Sequence, residues 1–474
     1  LLAEYDLAAG RQVGSGGLGR VFSALHAPSG RRVALKLGGA FVAGIFLAYF
    51  LLGLGLVEVV VRLSLLRRLG MVLNWGMAAF VAEGVPAKGW KRFGLELAAM
   101  DGGTASGLAT LAGQATVVDD TRDGCLSASL SRLENGRFLL VLDAAGQIVR
   151  LHDKQADREV LAPGAAGNTL TAYEDRPLNF DAWDIDPFFG ERSWPVDDVE
   201  SIAIDQVGRV NARLRNVLAN TESAITQDLV MYRDLARIDF ETEIDWKENQ
   251  TLLKAAFPLD IHSPKATYDI QFGNVERPTH ANTSWDEARF EVCAHQWADL
   301  SEGGYGVSLL NDCKYGHDIH GNVMRLTLLK SGTNPNPVAD QEVHRFTYSL
   351  LPHAEGWQQA ETVREATSLN DPLRTAVAGP QEGTLPECWG FVATQSRNIL
   401  PETVKRADDG DGYVVRFHEF ENRRGPVTLA FGHAPAAVWE CDLLENNLSS
   451  VPVSGDSVTL AVRPYDIRTL RVRF

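Results

Sequence analysis

Cysteine is scarce in this chain and poorly placed for chemistry. The 474 residues include five, Cys125, Cys293, Cys313, Cys388 and Cys441, odd in number, scattered and without a CxxC pair. That excludes a disulfide framework and a zinc knuckle, and it fits a reducing, cytoplasmic compartment. Positive charge is also in deficit: 45 Lys and Arg stand against 61 Asp and Glu, a formal net charge of -16. The imbalance is local, since residues 1–125 carry 12 basic and 9 acidic groups, leaving 33 basic against 52 acidic further on. A surface this acidic lacks the basic face that nucleic acid requires, so no nucleic-acid partner is expected. Stretches of helical period are few, and no internal repeat of roughly 20–50 residues is visible. The chain opens on Leu1, and its first 35 residues lack the order of charged, apolar and small residues that marks a signal peptide, so a fragment of a longer protein is expected.

What is present is an ordinary globular mixture, 45% hydrophobic and 22% charged, long enough for two or three cores. Its character changes along the chain. Residues 38–57, GGAFVAGIFLAYFLLGLGLV, carry no charge. At about 1.5 Å per residue a helix of that length crosses roughly 30 Å of hydrocarbon. A second apolar stretch, 69–82, follows Arg62, Arg67 and Arg68, which the positive-inside rule places on the cytoplasmic side. Two readings of 38–82 stand open: a membrane-associated helical segment anchored through residues 38–61, weakly resembling polytopic membrane proteins, and a buried helix. Residues 83–125, rich in Gly, Ala and Thr, keep no period and read as a linker.

Residues 13–36, VGSGGLGRVFSALHAPSGRRVALK, satisfy GxGxxGxV followed by VAxK and resemble the glycine-rich hairpin of protein kinases. The resemblance implies that Gly14, Gly16 and Gly19 let backbone N–H groups approach phosphates, with Val21 over the adenine and Lys36 reaching the phosphates. It covers residues 1–37 at most. No HRD, catalytic-loop Asn or DFG follows, so the base and magnesium ligands of a kinase are missing, and only an orphaned nucleotide-binding hairpin is left as a reading.

After Leu133 the pattern becomes that of short strands broken by turns. FLLVLD at 138–143 and QIVRLH at 147–152 flank Ala145-Gly146, and apolar residues alternate in Tyr413, Val415, Phe417, in Val458, Leu460, Val462 and in Leu470, Val472, Phe474. The expected fold is mainly β, a β-sandwich over residues 126–474 preceded by a poorly defined α or membrane-like N-terminal region. One helix-like stretch is expected at about 199–216.

Five segments in order carry a more specific resemblance: LENGRFLLVLDAAGQIVRLHDKQADREVL at 133–161, EDRPLNFDAWDIDPFF at 174–189, FGNVERPTHANTSWDEARFEV at 272–292, HRFTYSLLPH at 344–353 and VRFHEFENRRGPVTLAF at 415–431. Together with ARFEVCAHQWADLSEGGYGVSLLNDCKYG at 288–316 they resemble the C-terminal β-rich half of glycoside hydrolase family 38 α-mannosidases of the cytosolic and bacterial type. The resemblance implies a retaining, metal-dependent glycosidase acting on terminal α-mannosides, with zinc or another divalent ion in the intact protein and a carboxylate pair for covalent catalysis. Its metal-binding catalytic domain lies upstream, and no HxD-type motif occurs in residues 1–130. No catalytic residue, metal ligand or cofactor is therefore assigned to this chain. The rival reading is a membrane-tethered carbohydrate-binding or scaffold module from a chimeric chain.

What the resemblance carries over is cleft lining. The DAWDID loop offers Asp181, Trp183, Asp184 and Asp186, either an indole and carboxylates for sugar hydroxyls or an Asp-rich turn with a buried Trp. The NDCKYG turn offers Asn311, Asp312 and Lys314, either sugar-facing or plain turn chemistry. His280, Trp285, His295 and Trp297 read as a fixed aromatic and polar network. His317 and His320 would share a face on a helix, but the flanking glycines suggest a loop and no further metal ligands accompany them. Asp260 and Asp269, and Glu419 and Glu421, are expected to face solvent rather than form acid and base pairs.

Overall fold

The computed structural model describes residues 5–16, 19–26, 31–37, 88–91, 126–207, 211–220, 222–374 and 388–474, together with 383, 384 and 386. The chain separates into two units, residues 1–80 and 81–474. In the first, Tyr5–Gly16, Gly19–His26 and Arg31–Leu37 form an antiparallel three-stranded sheet, with Gly16 opposite Gly19 and Val21 opposite Lys36. The apolar run 38–61, with the rest of 38–82, lies outside the described residues. Among the described residues no helix is long and apolar enough to cross a membrane.

The second unit is built from antiparallel sheets. Its first described strand, Gly89–Lys91, pairs with Cys388–Gly390 far along the chain, and a five-stranded meander follows, from Ser127–Ser129 to Arg158–Glu159. Its Phe138–Leu142 strand buries Phe138, Leu140 and Leu142 and half-exposes the residues between, as period 2 requires. The turn that follows is tied by the Asp143 carboxylate, which accepts from the backbone of Ala145 and Gln147, and by Gly146 in the left-handed region at φ 73°. A six-stranded and a nine-stranded sheet come next. Their facing side chains, with those of the meander, make one core that includes Leu151, Phe240, Phe257, Leu300, Leu326 and Tyr348.

The middle of the nine-stranded sheet is buried on both faces. On Trp297–Ser301, Ala298 and Leu300 point into that core, whereas Trp297 points the other way, into a second cluster with Leu310, Leu351, Trp357, Val363, Ala366 and Phe420. This second cluster joins the sheet to the Thr362–Asn370 helix and to a C-terminal sandwich. The sandwich packs a four-stranded sheet, which includes Gly425–Phe431 and Ser457–Val462, on a five-stranded sheet, which includes Ile399–Arg406, Tyr413–Glu419 and Ile467–Arg473. Val415, Phe417, Val427, Leu429, Val458, Leu470 and Val472 fill its core.

The expected helix at 199–216 is instead a hairpin, Val199–Val207 with Asn211–Asn220, at one edge of the nine-stranded sheet. The pairing register shifts between Val199 and Ser201, and the extra residue puts Val199 and Ile202, three apart, against the same core. A β-bulge thus reproduced helical spacing within a strand.

Candidate functional site

The DAWDID loop leaves the six-stranded sheet and turns back on itself. Phe180 sits at φ 56°, and its carbonyl accepts from the backbone N–H groups of Trp183 (3.0 Å) and Asp184 (2.9 Å). Asp181 is buried, and its carboxylate accepts from Thr333 N (2.7 Å), Thr333 Oγ1 (2.9 Å) and Asn334 N (3.1 Å). Those donors, Thr333 first, hold its pKa below the usual carboxylate value. The two loops meet because residue 332 is glycine: a Cβ there would lie 2.6 Å from the Asp181 carbonyl oxygen. Asp186 accepts from Leu178 N at 2.7 Å. Held at these points, the loop presents Trp183, 68% exposed, stacked on Phe180 at 5.5 Å and 14°, with Asp184 exposed beside it. Leu178 and Phe188 are exposed on the same loop.

Beneath lies a cluster of buried charge. Lys254, 1% exposed, pairs with Glu291 and with Asp318 at 2.6 Å, and its ammonium stands 4.7 Å from the centroid of the Phe189 ring. Arg325 Nε lies 2.9 Å from Asp318. Asp175 pairs with Lys330, and burial nevertheless raises its pKa. Phe189 also touches Tyr173 and Phe290, so the aromatic loop and the 284–293 segment close over the cluster together. Nothing local marks Lys254 in sequence: TLLKAAFP reads as an apolar strand with one stray charge, and its partners come from 37 and 64 residues away.

The NDCKYG turn is tightly tied. Asn311 is fully buried, donates to the His295 carbonyl (2.9 Å) and accepts from Lys314 N (2.7 Å). Asp312 accepts from Thr347 N (2.9 Å), and Lys314 lies over the Phe346 ring at 4.3 Å, its pKa lowered by burial. Trp297 is buried against Trp357 at 4.9 Å, and His295 is half-buried facing Tyr315. His280 and Trp285 stand on the surface, Trp285 77% exposed.

His317 and His320 belong to the Gly316–His320 strand, where residues three apart point to opposite faces, so neither the shared helical face nor the loop is found. His317 is buried, and burial pushes its pKa down to about 4. Among the described residues no three His, Cys, Asp or Glu side chains converge as a metal ion requires.

Glu419 does not face solvent. It is 0% exposed and accepts from Asn398 Nδ2 (3.0 Å), Glu421 N (2.9 Å) and Tyr465 N (3.0 Å), as the turns around it supply the donors a buried carboxylate needs. Asp260 is exposed beside Arg158, and Asp269 lies in a cavity at the far side of the nine-stranded sheet. Gly14, Gly16, Gly19 and Lys36 lie on the three-stranded sheet of the first unit. A buried trio escaped the sequence reading: His353 Nε2 and Ser308 Oγ both reach Asp299 Oδ2, at 2.9 and 2.8 Å, and Ser308 also meets Thr362 Oγ1 at 2.8 Å. All four are buried, so these groups join strands and helix with no route for a substrate.

Residues 133–338 match the family described as "Glycosyl hydrolases family 38 C-terminal domain", and residues 398–470 the "Glycosyl hydrolases family 38 C-terminal beta sandwich domain". Alpha-mannosidase 2C1 of Mus musculus is 36% identical over 349 residues, covering 71% of this chain and 33% of that protein. Alpha-mannosidase G of Dictyostelium discoideum is 35% identical over 357 residues, 72% of this chain and 32% of its own length. The crystal structure of an alpha-mannosidase from Enterococcus faecalis V583 superimposes with a TM-score of 0.61 at 17% identity, over 74% of this chain and 43% of that one, which shows a common fold. The chain thus spans about one third of the length of the curated relatives it matches. Over residues 133–470 it belongs to glycoside hydrolase family 38, of which it carries the C-terminal β-rich half.

Proposed function

We propose that this chain is the C-terminal half of an α-mannosidase, a retaining hydrolase of terminal α-mannosides in glycan breakdown, and that the half is inert in hydrolysis by itself. The identity of 36% over 349 residues to a mouse α-mannosidase carries the reading. On this reading the divalent ion and the carboxylate pair of such an enzyme belong to the part upstream of the matched domains, residues 133–338 and 398–470. The free cysteines, three of them exposed, accord with a reducing cytoplasmic setting.

Within this half, the Trp183 and Phe180 stack with Asp184 forms the sugar-facing lip. An exposed indole offers a flat apolar face to the C–H side of a pyranose, and a carboxylate beside it accepts hydroxyl donors. The test combines 4-nitrophenyl α-mannoside hydrolysis with binding of methyl α-D-mannopyranoside. The chain alone is expected to release no nitrophenol and to bind the mannoside weakly, with Trp183→Ala lowering the affinity. Turnover by the purified chain, or mannoside binding indifferent to Trp183, would overturn the respective part.

A further inference from the structure

A cavity of about 220 Å³ opens where the nine-stranded sheet meets the C-terminal sandwich. Asp269 reaches it from the Lys265–Ile270 strand, Trp297 and His295 from the neighbouring strand and its approach, and Glu402 and His418 from the sandwich, with Phe272 at the rim. The indole N–H of Trp297, 1% exposed, faces the Asp269 carboxylate. One buried nitrogen at this cavity, Nδ1 of His418, a residue 4% exposed, lies 3.3 Å from Glu402 Oε1 but outside hydrogen-bonding alignment. Such a group is normally satisfied by a protein partner or by something bound.

The chemistry of the lining narrows what that would be. No Lys or Arg lines the cavity, so an anion has no counter-charge there. No three metal-ligating side chains converge among the described residues, which disfavours a metal ion. Burial pushes the Asp269 carboxyl up to about 7 and raises Glu402, while it pushes His418 down to about 4. Near neutral pH Asp269 is thus partly protonated and His418 neutral, so the lining offers both donors and acceptors. Phe272, 38% exposed and edge-on to His418 at 5.4 Å, adds an apolar wall. The volume equals that of roughly seven water molecules and falls below the roughly 300–1,000 Å³ of pockets for larger ligands.

We propose that this junction cavity binds a neutral polyhydroxylated ring of single-sugar size, its hydroxyls on Asp269, Glu402 and His418 and its C–H face against Phe272. The ligand would touch both the nine-stranded sheet and the sandwich, and so tie the two together. The inference is independent of the role given to the Trp183 loop.

The test is ligand-observed NMR titration of the full chain carrying Trp183→Ala, so that the loop contributes no signal, with methyl α-D-mannopyranoside and myo-inositol as polyol probes and sulfate and tetramethylammonium as charged ones. Binding of at least one polyol in the millimolar range is expected, with neither charged probe competing. Asp269→Ala and Glu402→Ala, which remove the hydrogen-bonding group altogether, should each weaken it about tenfold, as loss of a hydrogen bond to an ionisable group does. Phe272→Ala, at an exposed rim where folding is not at stake, should weaken it severalfold with an unchanged melting temperature. The proposal is overturned if no polyol binds the Trp183→Ala chain at about 50 mM, a concentration that would register even a Kd well above 1 mM. It also falls if the folded Phe272→Ala chain binds like its parent, or if sulfate or tetramethylammonium displaces the polyol.

Discussion

Replacing Lys254 by Met keeps the length of the stem and removes its ammonium. The cluster around it holds two cations, Lys254 and Arg325, and two anions, Glu291 and Asp318. After the substitution Asp318 retains Arg325 at 2.9 Å, whereas Glu291 loses its cation and the cluster carries one surplus negative charge. Breaking a buried ion pair from one side costs about 3–5 kcal/mol, because a charge is left in a poorly solvating place. Glu291 keeps some contact with water, with a side chain 13% exposed, so the lower end applies, about 3 kcal/mol. For a cooperative unit of roughly 150–250 residues each kcal/mol moves the melting temperature by about 2–4 °C, so a fall of roughly 6–12 °C is expected in differential scanning calorimetry. Adding Glu291→Gln removes the surplus charge and should restore at least half of the loss. A single variant that melts within about 2 °C of the parent, less than 1 kcal/mol on this scale, would refute the account. So would a double variant as unstable as the single one.

Two buried groups should pull the pH dependence of stability in opposite directions over the same range. Asp269, raised to about 7 by burial, holds a proton in the fold that the unfolded chain has released, so its contribution is full below about pH 4 and is lost as pH rises through 7. His317, pushed down to about 4 by burial, stays neutral in the fold while the unfolded chain takes up a proton, so its contribution is lost as pH falls from about 6.5 toward 4. Over about pH 4 to 7 the two slopes oppose each other, so in melting curves Asp269→Asn should make stability rise more steeply with pH across that window and His317→Gln should make it rise less steeply or fall, each removing a slope of at most about 1.4 kcal/mol per pH unit. Unchanged slopes in both would show that these groups are better solvated than their burial implies. Asn311→Ala strands the His295 carbonyl and the Lys314 N–H and should cost about 2–3 kcal/mol in denaturant unfolding, with a loss below about 0.5 kcal/mol counting against it. Trp183→Ala should leave the unfolding midpoint unchanged within about 0.5 kcal/mol, since little of that side chain is packed.

The β architecture was legible because burial on one face writes itself into alternate residues, as at Phe138, Leu140 and Leu142 or at Val458 and Val462. It misled where the strand departed from regularity, at the bulge between Val199 and Ser201. Alternation also suggested that Glu419 faces water, because the pattern records which side of a strand a residue takes and not what loops later cover that side. The chemistry-bearing groups were harder still. Trp183 and Asp184 lie on one short loop and could be named together, but Asp269 meets Glu402 and His418, and Lys254 meets Glu291 and Asp318, only through the packing of sheets and loops across long stretches of chain. No local spacing encodes such meetings.

The short ladder between Gly89–Lys91 and Cys388–Gly390 bears on how this protein can be cut. Three residues from well before the first strand of the meander occupy the hydrogen-bonding edge of a strand that leads into the C-terminal sandwich, and they fit closely enough that a Cβ on Gly89 would lie 2.0 Å from the Trp389 carbonyl oxygen. A chain started after Lys91 would leave that edge bare, with Trp389 and Phe391 beside it, and a bare edge recruits strands from other molecules. Shortened versions that begin at the meander would then gain a tendency to self-associate, and a free peptide spanning residues 86–93 would act as its antidote.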